Sequence, residues 1–319
     1  MIEVTCLGET MALFVPDAPG TTTEAGDSHA YTATIGGAES NVACALAALG
    51  IPARWIGRVG DDRFGRLVRD TLLARGVDLS HVETDPVRPT GLFVKELTQT
   101  GTRLRYYRTG SAASAMAPAL AFHRAVTDVR LLHLSGITAA LSDSCATLID
   151  AILAARAPGR TVSFDVNWRP ALWTGRDPAL LLSLARRADL VFVGIDEAEA
   201  LWNVSDPAAV RRLLPEPRTL VVKQGAEGAT GFGGDGRHDE MQVPALPVDV
   251  VELTGAGDAF AAGFLAATLR GLSLRSRLRL GTLAAGSALR VRGDLGTVPP
   301  PDVIESLLAC DDDEWRRAA

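Results

Sequence analysis

The 319-residue chain predicts an α/β fold, a mostly parallel sheet with helices on both faces. Two observations carry that expectation. Apolar runs of strand length alternate with longer amphipathic stretches, the pattern of βαβ units. Many of the longer stretches are also bounded by the residues that start and stop helices.

Ile2 to Leu7 reads as a buried strand. Glu39 to Leu49 is rich in Ala and Leu and stops at Gly50, as a helix with a glycine cap does. Ala53 to Val59 is strand-like. Asp61 and Asp62 stand where an N-cap belongs, before a helix running to Arg75 and closed by Gly76. Further strands are expected at Leu131 to Leu134, Thr161 to Phe164, Leu190 to Val193 and Thr219 to Val222. Helices are expected at Asp143 to Ala155 and Pro178 to Arg187. In such sheets ligands collect beyond the carboxyl ends of the strands.

Two regions break this rhythm. Residues 11–35 are rich in Thr, Gly and Pro, and residues 90–109 read as a hairpin turning near Gly101. Together they form either a small sheet over the ligand edge or an extension of the main sheet; pattern alone leaves both open. The tail Asp311-Asp312-Asp313-Glu314 reads as solvated.

Composition narrows the function. Hydrophobic residues make up 47% and charged residues 22%, ordinary for a globular enzyme. A net charge of −6 gives no reason to expect a nucleic acid or an anionic membrane as partner. Of 32 basic residues only Lys95 and Lys223 are lysines, and rarity alone does not make them functional. Cys6, Cys44, Cys145 and Cys310 are too scattered for a disulfide framework or a zinc site. The start of the chain has no signal-peptide pattern, and no run of eighteen apolar residues occurs, so a cytoplasmic protein is expected.

The strongest local signal is Thr254-Gly255-Ala256-Gly257-Asp258, a glycine turn leading into an apolar helical stretch. Gly255 and Gly257 allow successive N–H groups to aim at one point, at the positive end of a helix dipole. That suits a phosphate or a developing oxyanion. Asp258 puts a carboxylate beside that anion site, as a general base for an attacking hydroxyl would require. An acid that merely stabilises a helix start is the equal alternative. A second turn, Gly36-Gly37-Ala38-Glu39-Ser40-Asn41, opens another helix and is either a ligand approach or a plain cap. No G-x-x-x-x-G-K-S/T or H-E-x-x-H occurs. Gly231, Gly233 and Gly236 match G-x-G-x-x-G, but a strand-like run follows, so they read as a hairpin turn.

GGAESNVACALAALG, RVGDDRFG and TGAGDAF, in that order across nearly the whole chain, resemble the PfkB (ribokinase-like) carbohydrate kinases. Gly8-Glu9, Gly37-Ala38-Glu39, Tyr106-Tyr107-Arg108 and Asn167-Trp168-Arg169-Pro170 are similar to 2-keto-3-deoxygluconate kinases within that family. The resemblance implies a Rossmann-like main domain (1–10, 36–89 and 110–319) with a β-sheet lid (11–35 and 90–109). It implies ATP and Mg²⁺ as cofactors and a sugar or sugar acid as substrate. Exposed lid edges would let subunits pair, so a homo-oligomer is expected, a dimer through the lid or higher. Asp258 matches the family's base, and Gly255, Ala256 and Gly257 its anion hole. Gly37, Asn41, Phe93, Tyr106, Arg108 and Arg169 match substrate positions. Lys223, Gly225 and Gly228 lie where the nucleotide is contacted, and Glu197 would organise Mg²⁺ through water.

On physical grounds, guanidinium forks suit a sugar-acid carboxylate, although in a chain this rich in Arg both could be surface charges. Three positions depart from the family pattern. Glu252-Leu253 precedes the turn where Asp-Thr is usual, which bears on a monovalent-cation site. Gly194 replaces an Asn upstream of Glu197, and Phe93 replaces a Tyr, which leaves the sugar open. A neutral-sugar kinase such as a fructokinase, and a non-catalytic sensor on the same scaffold, are the competing readings.

Overall fold

The computed structural model describes residues 2–17, 30–98, 101–155, 157–233 and 239–317. Strands are numbered in chain order. The main sheet contains β1 (Val4–Leu7), β4 (Ala53–Ile56), β9 (Leu131–Ser135), β10 (Thr161–Asp165), β11 (Leu190–Gly194), β12 (Thr219–Lys223), β13 (Ala229–Phe232) and β14 (Glu240–Val243). Their order is β14-β13-β12-β11-β10-β9-β1-β4, parallel from β12 to β4, with β13 and β14 added antiparallel at one edge.

Successive strand residues point to opposite faces, and both faces are covered. On β11, Phe192 packs in one core with Phe260, Ala261 and Phe264 of the Ala256–Leu269 helix, while Val191 and Val193 join a second core. That second core holds Leu148, Ile149 and Ile152 of the Asp143–Ala154 helix and Leu181 and Leu184 of the Ala179–Arg187 helix. His133 lies within the sheet beside the Ser163 hydroxyl at 3.1 Å, and burial pushes its imidazole down to about 4.

β2 (Met11–Pro16), β3 (Tyr31–Gly36), β7 (Leu92–Thr98) and β8 (Gly101–Tyr107) form a separate four-stranded sheet, not an extension of the main one. β7 and β8 pair antiparallel in the expected hairpin. Phe14 meets Phe64 edge to face at 5.7 Å, packing this sheet onto the Arg63–Ala74 helix.

Local expectations hold with three differences. The segment 53–59 is two strands, β4 and β5 (Arg58–Gly60), broken at Gly57; β5 pairs with β6 (Glu83–Asp85) in a sheet of its own. A Cβ at Gly57 would lie 2.2 Å from the Trp55 ring and 2.5 Å from the Gly8 carbonyl. Second, the cap before the Arg63–Ala74 helix is Asp62 alone, whose carboxylate accepts the Gly65 N–H at 2.7 Å. Third, the acidic tail residues are solvated but begin a helix, Asp312–Arg317, anchored by buried Trp315 beneath the Arg279 guanidinium. Gly231 and Gly233 belong to the β13–β14 hairpin as expected, while Gly236 lies outside the described residues.

Candidate active site

Leu7, Ser135, Asp165, Gly194 and Lys223 all end parallel strands on one edge of the main sheet. The segments that follow them meet the start of the Ala256–Leu269 helix. Gly255 caps that helix with φ 87°, a conformation that side chains with a Cβ disfavour. A Cβ there would also come within 2.4 Å of the Asp294 carbonyl oxygen. The first N–H groups of the helix have no acceptor within it and lie at the positive end of its dipole; that of Ala256 makes a long 3.4 Å contact to the Leu253 carbonyl.

Asp258 stands in the first turn of this helix, and its carboxylate is held from two sides. Asn41 Nδ2 donates to one oxygen at 2.8 Å, and Asn167 Nδ2 reaches the other at 3.4 Å. Asn167 has φ 41°, a left-handed conformation that Asn tolerates better than most residues. Asp258 as a whole is part-buried. Burial and the charge of Asp165 push its pKa up to about 7, against the pull of Asn41, Arg169 and Lys223. A carboxyl near neutrality can take a proton at working pH and still be driven to do so.

Below the turn lies a paired charge. Lys223 Nζ donates to both oxygens of Asp165, at 3.1 and 2.8 Å. A Cβ on Gly257 would sit 3.3 Å from this Nζ, so the ammonium lies directly beside the glycine turn. Burial alone would depress Lys223, yet Asp165 and Glu197 hold it above its ordinary value. Burial pushes the Glu197 carboxyl up, and its oxygens accept the N–H groups of Trp168 at 2.8 Å and Gly194 at 2.7 Å. Gly194, where the family pattern has Asn, supports Glu197 through its backbone N–H.

The small sheet supplies the opposite wall. Tyr106 stacks on Phe93 at 5.4 Å, and the Arg108 guanidinium lies 5.6 Å from the Tyr106 ring centre. Burial raises the Tyr106 phenol, which feels the positive charges of Arg169 and Arg108 and the negative charges of Asp294 and Asp258. Tyr106 of the small sheet thus lies within electrostatic reach of Arg169 and Asp258 of the main domain. Arg108 is ion-paired with buried Glu9, which also accepts the Ser111 hydroxyl at 2.6 Å. Arg169 is half exposed, bonded to its neighbour's carbonyl and only 3.8 Å from Glu197. Gly37 leaves the room its position demands, since a Cβ would lie 2.3 Å from the Glu9 carbonyl. Gly8 does the same for buried Glu39, whose Oε1 accepts the Ser135 and Thr138 hydroxyls, both at 2.6 Å.

The first 300 residues match the model of the pfkB family carbohydrate kinases. The chain belongs to that family. It is 36% identical to a 2-dehydro-3-deoxygluconokinase of Thermoproteus tenax, over 97% of this chain and 94% of that one. It is 32% identical to a probable chloroplastic fructokinase-6 of Arabidopsis thaliana, over 96% of this chain and 82% of that one. Among solved structures, the PfkB protein from Polaromonas sp. JS666 superposes with a TM-score of 0.82 at 34% identity, covering 97% of this chain and all of that one.

In this kinase a cleft of about 720 Å³ is lined by residues such as Leu246, Val248, Gly286, Arg290, Val298 and Val303. Between Val248 of this cleft and the turn, the Val251 N–H donates to the Leu289 carbonyl at 2.8 Å, which ties the connecting segment to the end of the Leu274–Leu289 helix. No local motif marks these residues in the sequence. Gly225 and Gly228 have φ 58° and 105° and shape the tight connection from β12 to β13. Lys223, expected at the nucleotide, is paired with Asp165 beside Gly257. Lys223→Met would leave buried Asp165 without its cation and is expected to cost about 3–5 kcal/mol in urea unfolding. A loss below about 1 kcal/mol would mean that the pair is not holding the strand ends together.

Proposed function

We propose that this kinase transfers the γ-phosphoryl group of ATP to the terminal hydroxyl of 2-keto-3-deoxygluconate, giving the 6-phosphate. Asp258 takes the hydroxyl proton as the oxygen attacks the γ-phosphorus. The bond from that phosphorus to the bridging oxygen breaks, and ADP leaves. The N–H groups of Gly255, Ala256 and Gly257 stabilise the charge on the transferring oxygens. The nucleoside occupies the cleft beside Val248 and Arg290, and the ends of β12 and β13, with Gly225 and Gly228, bound the phosphate path. The small sheet acts as a lid that excludes water.

Among the described residues no group of three or more Asp, Glu, His or Cys is placed to hold a metal ion. The oxygens of Asp165 and Glu197 already accept protein donors. That fits a hydrated Mg²⁺ held mainly by phosphates, with Glu197 reaching it through water. When bound, the ion would neutralise charge on the β- and γ-phosphates.

The observation that carries the sugar-acid assignment is the pair of guanidiniums, Arg108 and Arg169, whose charges meet at Tyr106 near Asp258. A carboxylate that loses its water needs such forks. A second reading, a neutral sugar such as fructose, is favoured by the ion pair of Arg108 with Glu9, which leaves less free charge for an anion. Arg108→Ala separates them. An acid kinase should show a KM for the sugar acid raised by about 10²-fold, the worth of a well-placed charged hydrogen bond. A KM within about threefold of wild type would favour the neutral sugar.

A further inference from the structure

Both lysines of this arginine-rich chain flank the glycine turn. Lys223 lies on one side, and Lys95, from β7 of the small sheet, on the other. Lys95 is fully buried, and its Nζ reaches from the small sheet to three oxygens of the segments on either side of the Ala256–Leu269 and Leu274–Leu289 helices. It donates to the Arg292 carbonyl at 3.0 Å, and lies 3.1 Å from Asp294 Oδ1 and 3.5 Å from Glu252 Oε2.

Each carboxylate is tied to the phosphoryl site. Glu252 Oε1 accepts the Leu253 N–H at 2.9 Å, the Thr254 N–H at 3.3 Å and the Thr254 hydroxyl at 3.1 Å, so it shapes the residues entering the turn. The Asp294 carbonyl packs against Gly255, and its side chain lies against Gly36 and Phe93. Asn41, which holds Asp258, also favours the ionised form of the Asp294 carboxyl. Without a cation between them, buried Asp294 and part-buried Glu252 would repel, and the turn they hold would shift.

We propose that the Lys95 ammonium is a built-in monovalent cation: a positioning residue that holds the Glu252–Gly255 turn and makes phosphoryl transfer independent of added monovalent ions. A compact ammonium with three donors can meet oxygens in three directions, whereas a planar guanidinium cannot. That gives a physical reason for Lys here in a chain that otherwise uses Arg. The substitution of Glu252-Leu253 for Asp-Thr belongs to the same device, since the longer glutamate side chain reaches back to its own turn as well as to Lys95.

The proposal requires only the carbohydrate-kinase activity, so the assay uses whichever sugar the wild type phosphorylates fastest. A wrong sugar assignment would show as a different best substrate, not as an ion effect. Wild-type kcat at constant ionic strength should change less than about twofold between potassium, sodium and tetramethylammonium chloride. Lys95→Ala should lower kcat by about 30-fold with little change in either KM, as misplacement of a reacting group does. Ammonium or methylammonium chloride should restore at least a tenth of the lost activity, and tetramethylammonium none. Lys95→Met, which fills the space without the charge, should be equally slow and should not recover. A wild type that needs potassium or ammonium would overturn the proposal, even if neither variant folds. So would a folded Lys95→Ala protein with wild-type kcat, or one that small ammonium ions do not revive.

Discussion

Asp258→Asn is expected to yield a folded kinase that still binds its sugar and has lost at least ~10³-fold in kcat. The amide keeps the shape and can still meet Asn167 and Asn41 after a flip, but it cannot accept the hydroxyl proton. The pH profile gives an independent readout. Asp258 must be ionised to act, and its pKa is pushed up to about 7, so kcat/KM should rise with pH through neutrality and level off above it. The variant should lack that limb.

The stability effect has the opposite sense. The folded pKa exceeds the ~3.9 of an unfolded Asp, so folding binds a proton between about pH 4 and pH 7. This carboxyl therefore favours the folded state at low pH, and the advantage is lost as pH rises through 7. Asp258→Asn should accordingly melt no lower than wild type at pH 8. A variant with near-normal turnover would remove Asp258 from the role of base.

Gly255→Ala is expected to lower kcat by about 10²–10³-fold, the cost of losing one anion-hole donor. Two features make this position intolerant. Its φ of 87° costs a non-glycine residue roughly 1–2 kcal/mol. The added Cβ would also fall 2.4 Å from the Asp294 carbonyl, which is backbone and cannot swing aside. The turn must move, and the N–H groups after it lose their aim. Gly257→Ala is the control, because its Cβ would meet only the flexible end of Lys223 at 3.3 Å. It should lose no more than about tenfold, with both variants compared by kcat and melting temperature. Equal effects at the two positions would mean that the turn's conformation is not what matters.

The parts of the site visible in the sequence are those where backbone shape demands a residue type. Gly255, Gly37 and Gly8 each stand where a Cβ would collide, so their spacing writes the turn into the chain. Strands such as Leu190–Gly194 are legible because both faces are buried and every position is apolar. The charged supports are different. Lys223 and Asp165 are 58 residues apart, and Lys95 and Arg292 are 197 apart. Each is a single residue whose partner is set by sheet order and by the small sheet's docking. Asn167 gives no signal of its positive φ except its residue type. The one compositional trace was the scarcity of lysine, which acquires meaning only when both ammonium groups are found beside the same turn. The cleft beside Val248 and Arg290, proposed for the nucleoside, was invisible for a related reason: it is lined mostly by ordinary apolar residues from separate segments.

The most direct test of the account is ATP consumption by the purified enzyme over a panel of sugar acids and neutral sugars. The account predicts turnover with Mg²⁺ and ATP, highest in kcat/KM for 2-keto-3-deoxygluconate and abolished by Asp258→Asn. Faster turnover of fructose or another neutral sugar would contradict the sugar-acid assignment. Ligands that raise the melting temperature while no sugar is phosphorylated would contradict the catalytic reading itself.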